Sequence, residues 1–102
     1  MATQTDYIGS ELKYLVEITA GGFNMMDDNF EIEVSVGNKK KIYAKSDLLI
    51  DQEGNFYLVI DSSEFKSGDM YATTFVYIPD NDFPDGLRTE IEKTKLTRIE
   101  KL

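Results

Sequence analysis

Three aspartates close together are the clearest candidates for chemistry in this chain. Asp80, Asp82 and Asp85 stand in segment 79–86, which also holds both prolines, and carboxylates crowded on a tight loop are oxygen ligands of the kind that calcium takes. With Asp80 as position 1 of an EF-hand, Asp85 falls on the glycine position and Ile91 on that of the bidentate glutamate. The mismatch favours an acidic turn whose side chains accept backbone amides. We therefore predict no metal site and no cofactor, and calcium at the three aspartates is the alternative.

Residues for catalysis are scarce. The chain has no histidine and no cysteine, which removes the usual general base at neutral pH, the commonest zinc ligand and the thiolate nucleophile. Glu31 and Glu33 share the wet face of one strand, whereas glycosidases need two carboxylates facing each other across a cleft. Ser62 and Ser63 have neither a histidine partner nor a Ser-x-x-Lys motif. We predict that the protein is not an enzyme and has no catalytic residues.

Tyrosines offer a second kind of site, because a tyrosine ring can stack on a sugar while its hydroxyl forms hydrogen bonds. Five of the six tyrosines fall within predicted strands: Tyr14, Tyr43, Tyr57, Tyr71 and Tyr77. Strand alternation spreads them over several strands, so we expect cross-strand aromatic pairs rather than one platform. Tyr71 and Tyr77 are kept as interaction candidates on the second face of a long strand.

Charge argues against several partners. The chain has 19 acidic and 11 basic residues, a net charge of −8, which opposes binding to nucleic acid and to anionic membranes. Residues 1–85 hold 16 acids and 6 bases, and residues 86–102 hold 3 acids and 5 bases. This asymmetry favours a solvated final strand, and guidance of head-to-tail assembly is the alternative. The start has neither a basic nor an apolar signal region. We expect a cytoplasmic or virion-associated protein without a signal peptide.

Alternation of apolar and polar residues sets the fold class. Residues 30–36 are apolar at every even position, which is the period of a strand with one buried face. Similar patterns occur around residues 11–19, 56–61 and 69–78, and the last, with apolar residues on both faces, is placed at the centre of a sheet. These patterns predict an all-β, antiparallel two-sheet sandwich of six to eight strands. Its inward residues are Leu12, Tyr14, Val16, Ile18, Phe30, Ile32, Val34, Phe56, Leu58, Ile60, Val76 and Ile78.

The remaining segments are connections and ends. Residues 1–10 are predicted to be a flexible arm, and 11–102 a single domain. The loop 21–29 contains Phe23, Met25 and Met26, which either cap the core or form a contact patch. Gly37-Asn38 predicts a tight hairpin, after which Ile42 and Ala44 continue the alternation, and its three lysines discourage edge pairing. Segment 87–102 is predicted as a strand with a kink near Thr94, with a helix as the alternative.

The order of elements from residue 47 to residue 91 carries a resemblance. A strand, an Asp-Gln-Glu-Gly turn at 51–54, a second strand, a capped turn ending in glycine, a long strand and the Pro-Asp loop follow one another. This order resembles small β-sandwich proteins of phage and prophage structural clusters, in particular the immunoglobulin-like N-terminal modules of baseplate and tail-fibre adaptors. The resemblance implies an immunoglobulin-like sandwich that works by surface docking, and it assigns no functional residue.

Three function classes follow from these observations. We favour a noncatalytic structural module that assembles with itself or with a larger tail, baseplate or fibre protein, through a sheet edge or through Phe23, Met25 and Met26. A carbohydrate- or surface-binding module that uses the tyrosines is the alternative. The third class is an acidic mimic of nucleic acid, which needs its acids gathered on one face. The neighbouring genes discriminate between the first two classes.

Overall fold

The computed structural model describes residues 5–102, which are almost entirely β structure. Two single-turn 3-10 helices are the only helical elements in this range, Lys45–Asp47 and Ser62–Glu64. Neither helix is long or apolar enough to cross a membrane. Eight strands make up the rest of the regular structure: β1 (Thr5–Tyr7), β2 (Glu11–Val16), β3 (Phe30–Val36), β4 (Lys39–Ala44), β5 (Leu49–Ile50), β6 (Phe56–Asp61), β7 (Gly68–Pro79) and β8 (Leu87–Glu100).

The strands form two sheets, so the predicted all-β, two-sheet architecture is confirmed. The larger sheet has the order β1-β8-β7-β3-β4 and the smaller one the order β2-β6-β5. Strand β7 lies at the centre of the larger sheet, as its two partly apolar faces predicted. All pairs are antiparallel except one, since β1 runs parallel to the end of β8.

The core lies between the sheets and uses the residues that alternation selected. Nine of the twelve residues predicted to point inward are buried, and Tyr14, Val16 and Ile18 are partly buried against them. Phe30 of β3 and Phe56 of β6 meet edge to face with ring centroids 5.8 Å apart, a favoured aromatic geometry. Phe65 also turns into the core after the turn at 61–64. Further buried residues are Val36, Tyr43, Leu48, Met70, Ala72, Thr97 and Ile99.

The hairpin between β3 and β4 is present, but its second strand has the opposite parity to the one predicted. Gly37, at a φ of +56°, allows a two-residue turn that pairs Val36 with Lys39 and therefore Ile32 with Tyr43. Opposite residues share a face, so Tyr43 is buried while Ile42 is 60% exposed. The turn, rather than hydrophobicity, fixes this register.

Part of the predicted flexible arm lies within the residues that the structure describes. Thr5–Tyr7 form strand β1, with Thr5 opposite Arg98 and Tyr7 opposite Glu100; residues 1–4 lie outside the described range. The buried Ser62 holds the turn after β1. Its hydroxyl oxygen lies 2.7 Å from the Ser10 carbonyl and accepts the Gly9 amide at 2.9 Å. A parallel edge pairing and a buried serine therefore anchor this part of the predicted arm.

Segment 87–100 is a strand, which confirms the predicted strand and excludes the alternative helix. The strand has an irregularity two residues beyond the kink that was predicted near Thr94. Met70 of β7 lies opposite Thr97, whereas the next residue, Tyr71, lies opposite Lys95. Leu96 is therefore the extra residue of a β-bulge, and a bulge changes which residues face the core. After the bulge Thr97 and Ile99 point inward and are buried.

Candidate interaction surface

The first half of β8 has a partner on one side only. Residues 87–99 pair with β7, but on the opposite side the only strand within residues 5–102 is β1, which reaches Arg98 to Glu100. The backbone from Leu87 to Lys93 therefore faces no described strand on that side. We call residues 87–93 the open edge. An edge strand presents a row of unpaired amides and carbonyls, which is a template for another strand.

Both faces of the strand are accessible here as well. All seven residues from 89 to 95 are exposed, in contrast to the buried Thr97 and Ile99 beyond the bulge. Leu87 is 41% exposed and Ile91 is 63% exposed. A shallow depression of about 210 Å³ adjoins the open edge and is lined by Ala20, Val76 and residues 90–92. The open edge thus offers backbone groups and apolar side chains together.

The open edge carries four charged residues, Arg88, Glu90, Glu92 and Lys93. Arg88 Nη2 lies 3.4 Å from Glu90 Oε2 and donates to the Gly21 carbonyl at 3.2 Å. Its Nη1 lies 3.7 Å from Asp80 Oδ2. These contacts hold the arginine beside the strand. The glutamate side chain remains about half exposed, which leaves it available to another molecule.

Three basic side chains of β8, Lys93, Lys95 and Arg98, contact residues of β7. Asp69 on β7 accepts hydrogen bonds from Lys95, at 3.3 Å, and from Arg98, at 3.2 Å. The Lys95 contact, and after it the Arg98 contact, lowers the pKa of the Asp69 carboxyl. Lys93 places its ammonium 4.7 Å above the Tyr71 ring. The far half of β8 is therefore tied to β7 by side chains as well as by backbone.

The loop with Phe23, Met25 and Met26 packs mainly onto the end of the core. Phe23 meets Phe30 edge to face at 6.1 Å, Met25 packs against the core, and only Met26, 58% exposed, projects outward. Lys45 fastens the loop, since its ammonium donates to the carbonyls of Met26 and Asp28, each at 2.8 Å. This arrangement fits the capping role better than the contact patch.

Tyr71 and Tyr77 lie on the outer face of the larger sheet, where both are partly buried. The Tyr77 hydroxyl donates to Glu31 Oε1 at 2.7 Å, which raises the pKa of the phenol, and burial adds to that effect. Tyr14 and Tyr43 instead point into the protein, and their hydroxyls are buried. The structure does not bring the tyrosines together into one platform.

The three aspartates of the 79–86 loop act as turn residues. Asp80 accepts the Asp82 amide and Asp85 accepts the Leu87 amide, both at 3.0 Å. Among residues 5–102, no three acidic side chains come close enough together to hold a metal ion. The loop therefore shapes the entry into β8, and the arrangement gives calcium no support.

A second exposed apolar surface lies on the outer face of the smaller sheet. Leu15, Tyr57 and Leu49 form one row across β2, β6 and β5. Leu15 is 50% exposed and Leu49 is 55% exposed. Lys13 covers part of this surface, with its ammonium 4.4 Å from the centre of the Tyr57 ring.

Sequence reasoning named no residue of the open edge, although it anticipated a role for a sheet edge and for the basic tail. The alternation from Leu87 to Ile91 was visible, yet its meaning depended on which side of β8 stays unpaired. Comparison of the chain with protein-family models, with curated proteins and with solved structures gives no match.

Proposed function

We propose that this protein is a noncatalytic assembly module. A protein partner supplies a strand that pairs with the open edge of β8. The observation that carries the proposal is the unpaired side of residues 87–93, with exposed Leu87 and Ile91 beside it. Strand addition supplies affinity through main-chain hydrogen bonds and specificity through alternate side chains. The immunoglobulin-like character and the phage baseplate or tail-fibre setting belong to this proposal and derive from the sequence resemblance.

The test uses the purified chain at increasing concentration, alone and with the products of the genes adjacent to its own. Binding should protect from hydrogen exchange those amides of residues 87–93 that point away from β7, because the others already face that strand. Ile91→Lys should weaken binding by placing a charge at the strand edge. Leu102→Lys is the matched control, because Leu102 is 95% exposed and lies outside the strand. Circular dichroism verifies the fold of both variants.

Absence of association with itself and with every neighbouring gene product would overturn this function. The tyrosine-based glycan module then becomes the better proposal, and a glycan array checks it with Tyr71→Ala and Tyr77→Ala. If Ile91→Lys and Leu102→Lys lose binding equally while both remain folded, the partner does not bind at the open edge.

A further inference from the structure

The open edge contains a short segment whose side chains are complementary to themselves. Residues 87–91 read Leu-Arg-Thr-Glu-Ile, so that Thr89 stands between two oppositely charged residues and then between two large apolar ones. Read in the reverse direction, the segment presents apolar, acidic, Thr, basic and apolar residues. An antiparallel partner strand runs in this reverse direction.

Two copies of the segment fit each other in one register. In an antiparallel pair, opposite residues lie on the same face of the sheet. Pairing centred on Thr89 places Leu87 opposite Ile91 of the second copy, and Arg88 opposite Glu90 of the second copy. A twofold axis at Thr89 repeats each contact. Opposite charges and paired apolar side chains both stabilise cross-strand contacts.

Neighbouring registers are less favourable. Centring the pair on Ile91 sets Glu90 opposite Glu92 of the second copy, and centring it on Glu90 sets that residue opposite itself. Like charges directly opposite each other are destabilising. Among these three registers, charge complementarity favours the one centred on Thr89.

We propose that the partner of the open edge is a second copy of this chain, paired antiparallel about Thr89 so that the two five-stranded sheets join edge to edge. This inference rests on the proposed function and specifies its partner. The other long edge of the same sheet, β4, has three lysines in a row, Lys39 to Lys41, which oppose such pairing. Strand β2 is an outer strand of the smaller sheet. It begins next to the turn that Ser62 holds, and this turn limits how far a partner strand could extend along β2.

Sedimentation equilibrium across a concentration and salt series tests the dimer. The wild type should rise from 11.6 kDa toward twice that mass, and less so at high salt, because exposed charge pairs are screened. Arg88→Glu and Glu90→Arg should each weaken the dimer roughly tenfold, since each creates two like-charge pairs. Glu92→Arg is the control with the same charge change on the same strand, because β8 begins at Leu87 and in this register no strand residue of the second copy lies opposite Glu92.

Complementation makes the register testable. An equimolar mixture of Arg88→Glu and Glu90→Arg chains should form a heterodimer, because every like-charge pair becomes an opposite-charge pair. The double variant Arg88→Glu/Glu90→Arg should recover self-association for the same reason. Since Arg88 also contacts Gly21 and Asp80, circular dichroism and thermal melting verify that each variant is folded.

Several results would overturn the self-pairing. A wild type that stays monomeric up to its solubility limit rules out the dimer, and the proposed function survives only if a neighbouring gene product protects residues 87–93. If Glu90→Arg and Glu92→Arg weaken the dimer equally, the two strands pair in another register. The same conclusion follows if the mixture of Arg88→Glu and Glu90→Arg chains forms no heterodimer. A dimer lost in Lys13→Glu but kept in Glu90→Arg forms through β2, which also removes the open edge from the proposed function.

Discussion

Two strands of the larger sheet expose one side of their backbone, β4 as an outermost strand and β8 where β1 does not cover it, and they differ in how they do so. Strand β4 carries a positive charge at each of its first three residues, and Lys41 reaches Glu64 with its ammonium 2.7 Å from Oε2. The open edge of β8 instead alternates charges of both signs with exposed Leu87 and Ile91. Lysines on an edge discourage pairing with another chain. The comparison indicates that one edge is protected against association and the other is suited to it.

Strand β8 repeats this contrast within itself. Before the bulge at Leu96 the strand is exposed on both faces, whereas after it Thr97 and Ile99 are buried and β1 covers the edge. The second half therefore anchors the strand to the domain. The first half contributes little to the core and is free to serve a partner.

The largest expected effect comes from comparing two isoleucines of β8, one after the bulge and one before it. Ile99→Ala should lower the free energy of unfolding by about 2–5 kcal/mol, because it leaves a cavity at a fully buried position. Ile91→Ala should change the free energy of unfolding by less than about 0.5 kcal/mol, since Ile91 is 63% exposed. Urea denaturation measures both under conditions where the protein is monomeric. Equal costs would show that the two halves are not distinct.

The next effect concerns the anchor that leads β1 alongside β8. Ser62→Ala removes a buried hydroxyl that serves the Gly9 amide and the Ser10 carbonyl, and it should cost about 1–3 kcal/mol of unfolding free energy. Ser63→Ala is the control, since Ser63 is exposed and its hydroxyl binds Asp61 at 2.6 Å. Hydrogen exchange at residues 98–100 should rise in Ser62→Ala only. Unchanged exchange at residues 98–100 would show that Ser62 does not stabilise the pairing of β1 with β8.

A smaller effect sharpens the contrast between the edges. Lys41→Thr should change the free energy of unfolding little, because the ion pair of Lys41 with Glu64 is exposed. In a background carrying Glu90→Arg, which blocks the β8 edge, Lys41→Thr should nevertheless increase self-association through β4. Light scattering compares it with Lys101→Thr, which removes the same charge from the exposed end of the chain. Equal scattering would show that Lys41 does not protect β4.

The last prediction concerns pH and the ion cluster that ties β8 to β7. The folded-state pKa values of Asp51, Asp61 and Asp69 lie below the ordinary value of 3.8. Groups with a lowered pKa stabilise the fold above their unfolded pKa, and this stabilisation is lost as the pH falls through the folded pKa. Unfolding free energy should therefore decrease below about pH 4.

Asp69→Asn removes one of these three carboxyls. Its acid dependence should be shallower than that of the wild type, whereas Asp82→Asn, in the exposed loop, provides the comparison. Melting temperatures measured from neutral pH downward decide the matter. Parallel curves for wild type and Asp69→Asn would exclude a contribution from the cluster.

Local patterns in the sequence determined the strands and much of the core. Period-2 alternation located β3, β6 and β7 because neighbouring side chains of a strand point to opposite faces, whatever the strand pairs with. Glycine turns placed the hairpins for a similarly local reason. The acidic loop was correctly assigned to turn chemistry, as the amides bound by Asp80 and Asp85 show.

Tertiary structure alone decided which strand edge remains unpaired and accessible to another molecule. The inward direction of Ile99 followed from the bulge at Leu96, where the register of β8 on β7 shifts. The open edge exists because β1, distant in sequence, pairs in parallel with the last residues of β8 and reaches no further in the described range. The alternation of residues 87–91 is written in the sequence, but pairing between distant segments determines which side of a strand remains free.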